Sequence, residues 1–77
     1  MAQQTSTHII GIDVCKDRLD IFEHDSGRGC SIGNDARSIE TWLDSQDGRL
    51  QLAIEPTNRY HEAVAEAAHA RGHDVYW

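Results

Sequence analysis

Two apolar runs that each end in a carboxylate constrain this chain more than any other feature. Residues 9–12 (IIGI) lead directly into Asp13. Residues 50–54 (LQLAI) lead directly into Glu55. Short apolar runs are typical of buried strands, and an acid is a costly neighbour for them. Because two acids at the same place on two strands can converge on one divalent cation, the pattern predicts adjacent strands that end in a metal-binding pair.

The length and the last residues of the chain indicate part of a larger protein. Seventy-seven residues make one domain at most, and such a chain buries only about 60% of its unfolded surface. Residues 73–77 (HDVYW) form an apolar, strand-like segment whose edge would be left unpaired. We therefore expect residues 1–77 to be the N-terminal portion of one domain that is incomplete at its C-terminus.

The charge balance excludes some functions for this segment. Its net charge is −6, with 13 acidic and 7 basic residues. A nucleic-acid-binding surface, in contrast, needs clustered Lys and Arg. A metal-dependent nuclease core stays possible, because there carboxylates recruit the cation that meets the phosphate. Residues 1–7 are polar and no apolar stretch could span a membrane, so we expect a cytoplasmic protein without membrane contact.

Apolar periodicity and turn residues predict seven elements in the order β-β-β-α-β-α-β. The predicted strands cover about residues 7–15, 19–24, 30–32, 50–54 and 74–77, with the first apolar on both faces and the fourth ended by Pro56. The first helix follows the N-cap candidates Asn34 and Asp35 and ends near Gly48; the second covers about residues 58–71 and ends at Gly72. The helix positions predicted to face the core are Ala36, Ile39, Trp42, Leu43, Tyr60, Ala63, Val64 and Ala67.

The order of these elements predicts an α/β fold with a mixed sheet. Strands two and three form antiparallel hairpins off the first, and helical crossovers make the first, fourth and fifth strands parallel neighbours. Gly27, Gly29 and Gly33 lie between antiparallel strands, so hairpin turns explain them better than a phosphate-binding loop does. This topology is that of the first two-thirds of a ribonuclease-H-like fold, the fold of Holliday-junction resolvases.

Cys15 and Cys30 fall on strands with one strand between them. That separation is about 9–10 Å at a strand spacing of ~4.8 Å, which is too far for a disulfide. We expect both thiols to be reduced, buried and structural.

The predicted arrangement brings Asp13 and Glu55 to matching positions about 4.8 Å apart on parallel neighbours. Mg²⁺ binds hard oxygen ligands and keeps several waters, so two acids can start a site. They cannot complete a two-metal site, in which two ions about 3.5–4 Å apart bind the attacking and the leaving oxygen. Spacing alone leaves open that Asp13 caps a turn and that Glu55 is simply exposed at a strand end.

Two motifs carry a family resemblance. Residues 11–20 (GIDVCKDRLD) match an opening G-I-D-V-S-K followed by a charged residue and a leucine, and residues 55–61 (EPTNRYH) match E-A-T-G-x-Y-H/E. The intervening Asn34, Trp42 and Leu43, and the exit at residues 71–75 (RGHDV), also agree. Over nearly all of residues 9–77 the chain resembles the DEDD-type bacterial insertion-sequence transposases, the insertion-sequence one-hundred-and-ten family.

The resemblance implies a metal-dependent transposase or recombinase that cleaves and rejoins DNA strands. Four acids hold Mg²⁺ in that family, and the first two match Asp13 and Glu55; the others would lie outside this chain, which alone should be inactive. DNA and a structured guide RNA are the implied partners, and we also expect a homo-oligomer. Cys15, Pro56 and Asn58 depart from the usual Ser, Ala and Gly, but none of the three changes removes a metal ligand, and Asn tolerates the positive φ of a turn.

Five other residues have a functional and a plain interpretation. Lys16 could contact a phosphate or be a solvated loop lysine. Tyr60 could stack on a base, although a core-facing helix aromatic is the commoner case. His61 could approach the metal site or lie on the helix surface. His69 and His73 are separated by the helix-ending Gly72, which argues against a zinc pair.

Two other functions compete with strand transfer. Phosphotransfer by an actin-like or sugar-kinase-like domain would need Gly and Thr or Ser after the first aspartate, but Val14, Cys15 and Lys16 follow Asp13. A non-catalytic module of ribonuclease-H-like fold that dimerises or docks RNA would need no further acids.

Overall fold

The computed structural model describes residues 7–55 and 59–77. The elements are β1 (Thr7–Val14), β2 (Arg18–Glu23), β3 (Gly29–Gly33), α1 (Ala36–Asp44), β4 (Arg49–Glu55), α2 (Glu62–Ala70) and β5 (Asp74–Tyr76). Their order is the predicted one. Pro56 and Asn58, together with the predicted start of the second helix at residue 58, lie outside the described residues.

The strands form one five-stranded mixed sheet in the order β3-β2-β1-β4-β5. β1 pairs with β2 and β2 with β3 in antiparallel fashion, whereas β1 and β4, and β4 and β5, are parallel. The turn between β2 and β3 contains Gly27 at φ 73°, a conformation that glycine adopts without strain. The predicted α/β class and pairings are therefore confirmed, as is the hairpin turn at Gly27. For Gly29 and Gly33 the turn assignment is wrong, because they are the first and last residues of β3 and pair with Phe22 and Arg18.

The core lies on one face of this sheet. Every second residue of the three central strands is buried, and these side chains join the buried positions of both helices in one cluster. The strand members are Ile10, Ile12, Val14, Leu19, Ile21, Leu50, Leu52 and Ile54, and the helix members are Ile39, Trp42, Leu43, Val64, Ala65 and Ala68. The buried strand side chains all lie on one face of the sheet because successive side chains of a strand point to opposite faces.

The opposite face, which we call the open face, is not covered by either described helix. Ile9 is 43% exposed, Phe22 56% and Tyr76 53%, and the register places Phe22 beside Gly11 and Ala53 beside Tyr76. The expectation that the middle of the first strand would be buried on both faces is thus wrong for these residues, because α1 and α2 both pack on the other side.

Helix α1 begins as predicted and ends early. The Asp35 carboxylate accepts hydrogen bonds from the Ser38 backbone N–H at 2.8 Å and from the Ser38 hydroxyl at 3.0 Å, which makes Asp35 the N-cap. The helix stops at Asp44, before Gly48, because Ser45 Oγ and Gln46 Nε2 donate to the Trp42 carbonyl. Ile39, Trp42 and Leu43 are buried as predicted, but Ala36 is exposed.

Helix α2 starts later than predicted and turns a different face to the core. Val64 is fully buried as expected, but Ala65 and Ala68 accompany it, while Ala67 is half-buried and Tyr60 and Ala63 are exposed. Tyr60 lies in a turn before the helix, so it cannot mark the helix face. The helix ends at the predicted place, where Gly72 has φ 82° and donates its N–H to the His69 carbonyl at 3.0 Å.

Both cysteines are free thiols, as predicted. Cys15 is half-buried, but Cys30 is exposed, so its predicted burial is wrong. Cys30 pairs with the buried Ile21 but lies on the edge strand β3, where α1 does not cover it.

Neither helix within residues 7–55 and 59–77 is long and apolar enough to cross a membrane.

Candidate functional site

Asp13 and Glu55 are direct partners in the parallel ladder between β1 and β4. Their Cα atoms are therefore separated by about one strand spacing, ~4.8 Å. Asp13 lies between the buried Ile12 and Val14 and is itself exposed, so its side chain points to the open face. Glu55 follows the buried Ile54 and is exposed in the same way. The two carboxylates extend from the same face at the carboxyl ends of adjacent parallel strands.

A third acid, which the sequence did not reveal as a site residue, lies beside this pair. Asp20 on β2 is the ladder partner of Asp13, and Ser31 on β3 is the ladder partner of Asp20. Ser31, Asp20, Asp13 and Glu55 thus form one row across four strands, which we call the acidic row. The alternation around Leu19 and Ile21 indicates that Asp20 points away from the core. Its position beside Asp13, however, depends on the register of the hairpin.

Asp20 differs from the other two acids because neighbouring side chains already bind it. Ser31 Oγ donates to its carboxylate at 2.6 Å, and Arg18 Nε donates at 3.1 Å. The Ser31 hydroxyl and, to a smaller degree, the Arg18 guanidinium hold the pKa of Asp20 below its ordinary value, against the opposing effect of desolvation. The same pairing raises the pKa of Arg18. Asp20 is therefore the acid of the row that neighbouring side chains hold in place.

Asp13 and Glu55 form no side-chain hydrogen bond or ion pair with any residue in 7–55 or 59–77. Within those ranges, no side chain engages the oxygens of either acid. Two adjacent carboxylates repel each other unless a cation lies between them. Mg²⁺ is commonly held by one or two carboxylates and completes its octahedron with water, so this donor set suits one hydrated Mg²⁺.

The donor set does not suit a pair of metal ions. Within the part of the chain that the structure describes, no group of three or more His, Cys, Asp or Glu side chains is arranged to hold a metal ion. A two-metal centre needs ligands for both ions. Asp20 is already engaged at one oxygen, because its Oδ1 accepts from both Arg18 Nε and Ser31 Oγ, while its Oδ2 lies 3.5 Å from Arg18 Nη2.

The residues singled out as nucleic-acid contacts lie in the two loops that follow the acids. Lys16 is exposed in the tight turn between β1 and β2, which is closed by a 2.9 Å hydrogen bond from Cys15 N–H to the Arg18 carbonyl. Tyr60 is 37% exposed in the turn before α2. Both can reach solvent near the carboxyl ends of β1 and β4, and for Tyr60 the core-facing interpretation is wrong.

The histidines take other places. His61 is half-buried just before α2, and its ring contacts the Trp77 ring edge-on at a centroid distance of 5.2 Å. His73 Nδ1 accepts the Leu50 backbone N–H at 3.0 Å, which uses that nitrogen as a structural acceptor between β4 and β5. Burial, assisted by Arg71 and Arg49, lowers the pKa of His73.

Asn34 is the second residue whose place the sequence did not predict. We considered it as a helix cap, but Asp35 caps α1 and the Asn34 side chain turns towards the loops instead. Its Nδ2 donates to the Cys15 carbonyl and to the Tyr60 carbonyl, each at 2.9 Å.

Comparison of the sequence with known family models and with curated proteins finds no match to either.

Proposed function

We propose that this chain supplies the first two metal ligands of a ribonuclease-H-like nuclease core, within a DNA transposase or recombinase. The observation that carries the proposal is the pairing of Asp13 with Glu55 at the ends of adjacent parallel strands. The strand order β3-β2-β1-β4-β5 agrees with the topology that we expect for such a core. The two motifs that contain these acids, residues 11–20 and 55–61, supply the resemblance to DEDD-type insertion-sequence transposases.

The acids would act by holding Mg²⁺ at the open face. When bound there, the ion would polarise a phosphodiester group and stabilise the charge that develops during strand cleavage. Asp13 and Glu55 would anchor the ion at the last pair of the ladder between β1 and β4. Arg18 and Ser31 both donate to Asp20 Oδ1, so that oxygen is already engaged.

Binding of a DNA substrate requires groups other than the acidic row. The chain carries a net charge of −6, so additional basic surface must neutralise the DNA backbone. Lys16 and Tyr60 are the local candidates for contact with a phosphate and a base. From the family resemblance we propose DNA and a guide RNA as partners. We also propose a homo-oligomer as the working assembly and the cytoplasm as the location.

A strand-cleavage assay tests this function in a protein that contains the segment with its further metal ligands. We expect Asp13→Asn and Glu55→Gln each to abolish Mg²⁺-dependent cleavage while the protein stays folded, because the amides keep the shape and lose the charge. Glu40→Gln and Asp47→Asn are matched controls at exposed positions on α1 and in the following loop and should cleave normally. Full activity in both site variants would refute the proposal.

A second candidate is a non-catalytic module that dimerises or docks RNA. The observation in its favour is the apolar surface on the open face, where Phe22 and Tyr76 are both more than half exposed. A depression of about 370 Å³ lies beside Glu55 and is lined by Ala53, Tyr76 and Trp77 among others. If the site variants cleave normally but Phe22→Ser loses assembly or RNA binding, this second function replaces the first.

A further inference from the structure

Asn34 joins the loop after β1 to the loop after β4. Its side-chain NH₂ donates one hydrogen bond to the Cys15 carbonyl and one to the Tyr60 carbonyl, both at 2.9 Å. Its own backbone N–H donates to the Asp17 carbonyl at 3.1 Å. One residue at the junction of β3 and α1 therefore holds three carbonyls, two from the first loop and one from the second.

The Asn34 side chain can make both contacts only when its NH₂ group points towards the two carbonyls. Both side-chain partners are carbonyl oxygens, which only accept hydrogen bonds, and the Asn NH₂ group has two hydrogens to donate. The opposite amide orientation would place oxygen against oxygen at both contacts, so the hydrogen-bond network fixes the assignment. An aspartate of the same shape would have no hydrogen to offer and would add a negative charge.

The two loops are those that follow the acids along the chain. Cys15 is two residues beyond Asp13, and Tyr60 is five residues beyond Glu55. The backbone ladder between β1 and β4 has Asp13 and Glu55 as its last pair, so the ladder itself does not hold the chains beyond this level. In the described residues, Asn34 is the side chain that bridges these two loops.

We infer that Asn34 is a positioning residue for the acid pair. By tying the two loops together, it limits how far the ends of β1 and β4 can separate and so fixes the distance between the Asp13 and Glu55 carboxylates. A cation held by both acids is sensitive to that distance, because Mg²⁺ requires near-ideal octahedral geometry. This inference rests on the proposed metal-binding function of the pair.

Mn²⁺ binding to the purified chain, followed by electron paramagnetic resonance, tests the inference against its electrostatic alternative. Asn34→Asp adds a negative charge near the acids, which by charge alone should tighten cation binding. The positioning role predicts the reverse, a dissociation constant roughly tenfold higher, the low end of the loss that follows removal of a metal site's outer support. Asn34→Ser keeps one donor and should lie between wild type and Asn34→Asp.

Two control variants separate positioning from charge and from stability. Gln46→Glu makes the same amide-to-acid change at a residue that also donates to a backbone carbonyl, but at the other end of α1. Val64→Ala removes two methyl groups from a fully buried core position. It should lower stability without changing the contacts of the two loops. Both should bind Mn²⁺ like wild type at temperatures where they are folded. Unchanged or tighter binding by folded Asn34→Asp would overturn the inference.

A metal-independent measurement distinguishes failure of this inference from failure of the proposed function. In wild-type protein, nuclear magnetic resonance should detect scalar couplings from Asn34 Nδ2 to the carbonyl carbons of Cys15 and Tyr60. If the couplings are present and wild type binds no Mn²⁺, the metal function fails while the loop connection stands. If the couplings are absent, the positioning role is refuted whatever the metal does, and this holds even if the Asn34 variants fail to fold.

Discussion

Arg18 and Asp20 form an ion pair at 3.1 Å on β2, next to Asp13 in the ladder. The pair has two consequences for the acidic row. It engages Asp20 Oδ1, and it places a guanidinium close enough to Asp13 for that carboxylate to make a minor contribution to the raised pKa of Arg18. The charge next to the proposed metal site is therefore mixed, although the segment as a whole is acidic.

Removing the Arg18 charge should strengthen cation binding. In Arg18→Gln the acidic row keeps its three carboxylates and loses the positive charge that is paired with Asp20, so we expect the Mn²⁺ dissociation constant to fall several-fold at low ionic strength. The gain should shrink in 0.5 M salt because exposed charges are screened. Arg37→Gln, an exposed position on α1, is the control and should leave the constant unchanged. Weaker binding by Arg18→Gln would mean that Arg18 supports the site.

His73 should make the stability of the chain depend on pH. Its pKa in the folded state lies below the ordinary value of 6.5, so the unfolded chain binds more protons between those two values. The contribution of His73 to the free energy of unfolding should therefore be complete above about pH 6.5. It should decrease as the pH falls from there through the folded-state pKa. The physical cause is burial of the imidazole, assisted by the positive charges of Arg71 and Arg49. A proton on Nδ1 would also break the hydrogen bond from Leu50 N–H.

Urea unfolding at several pH values checks this prediction. His73→Asn keeps an acceptor for the Leu50 N–H but cannot titrate, so its unfolding midpoint should vary less between pH 5 and 7 than that of wild type. His69→Asn, at an exposed position, should behave like wild type. If the His73 variant keeps the full pH dependence, other groups cause it.

The one-sided core predicts unequal effects of truncation on the two faces of the sheet. Leu52 is fully buried on the helix side, whereas Ile9 is 43% exposed on the open face. Leu52→Ala should cost about 2–5 kcal/mol of unfolding free energy, which is a large part of the stability of so small a domain. Ile9→Ala should cost clearly less. Equal losses in denaturant titrations would show that the open face is covered in solution.

The repulsion between the two acids should be measurable without metal. Asp13→Asn and Glu55→Gln each remove one of two adjacent carboxylates, so either change should leave the melting temperature in chelator unchanged or slightly raised. Addition of Mg²⁺ should raise the melting temperature of wild type more than that of either variant. A collapse of folding in the variants would instead identify the acids as structural caps.

Much of the fold follows from the sequence because periodicity determines it. The alternation in residues 50–54 and the crossovers on either side are enough to place β4 beside β1 and to pair Asp13 with Glu55. The phase of α2 did not follow, because five alanines within residues 62–70 make several helix faces almost equally apolar. Tyr60 then biased the assignment, although it precedes the helix.

The remaining parts of the site depend on tertiary contacts that no local pattern encodes. Asp20 joins the acidic row only through the register of the hairpin after β1, which the turn at residues 15–17 sets. Asn34 and Asp35 are both good helix caps by residue type. Only the packing of two distant loops decides that Asp35 caps α1 while Asn34 binds the Cys15 and Tyr60 carbonyls.

Cation binding by the acid pair is the most direct test of the account. Mn²⁺ titrated into the purified chain should broaden the backbone resonances of Asp13 and Glu55 first, with saturable binding that Mg²⁺ competes away. Asp13→Asn and Glu55→Gln should each abolish the saturable site, whereas Asp47→Asn and Glu40→Gln should keep it. Saturable binding that persists in both site variants, or broadening centred on another part of the chain, would contradict the assignment of Asp13 and Glu55 as a metal-binding pair.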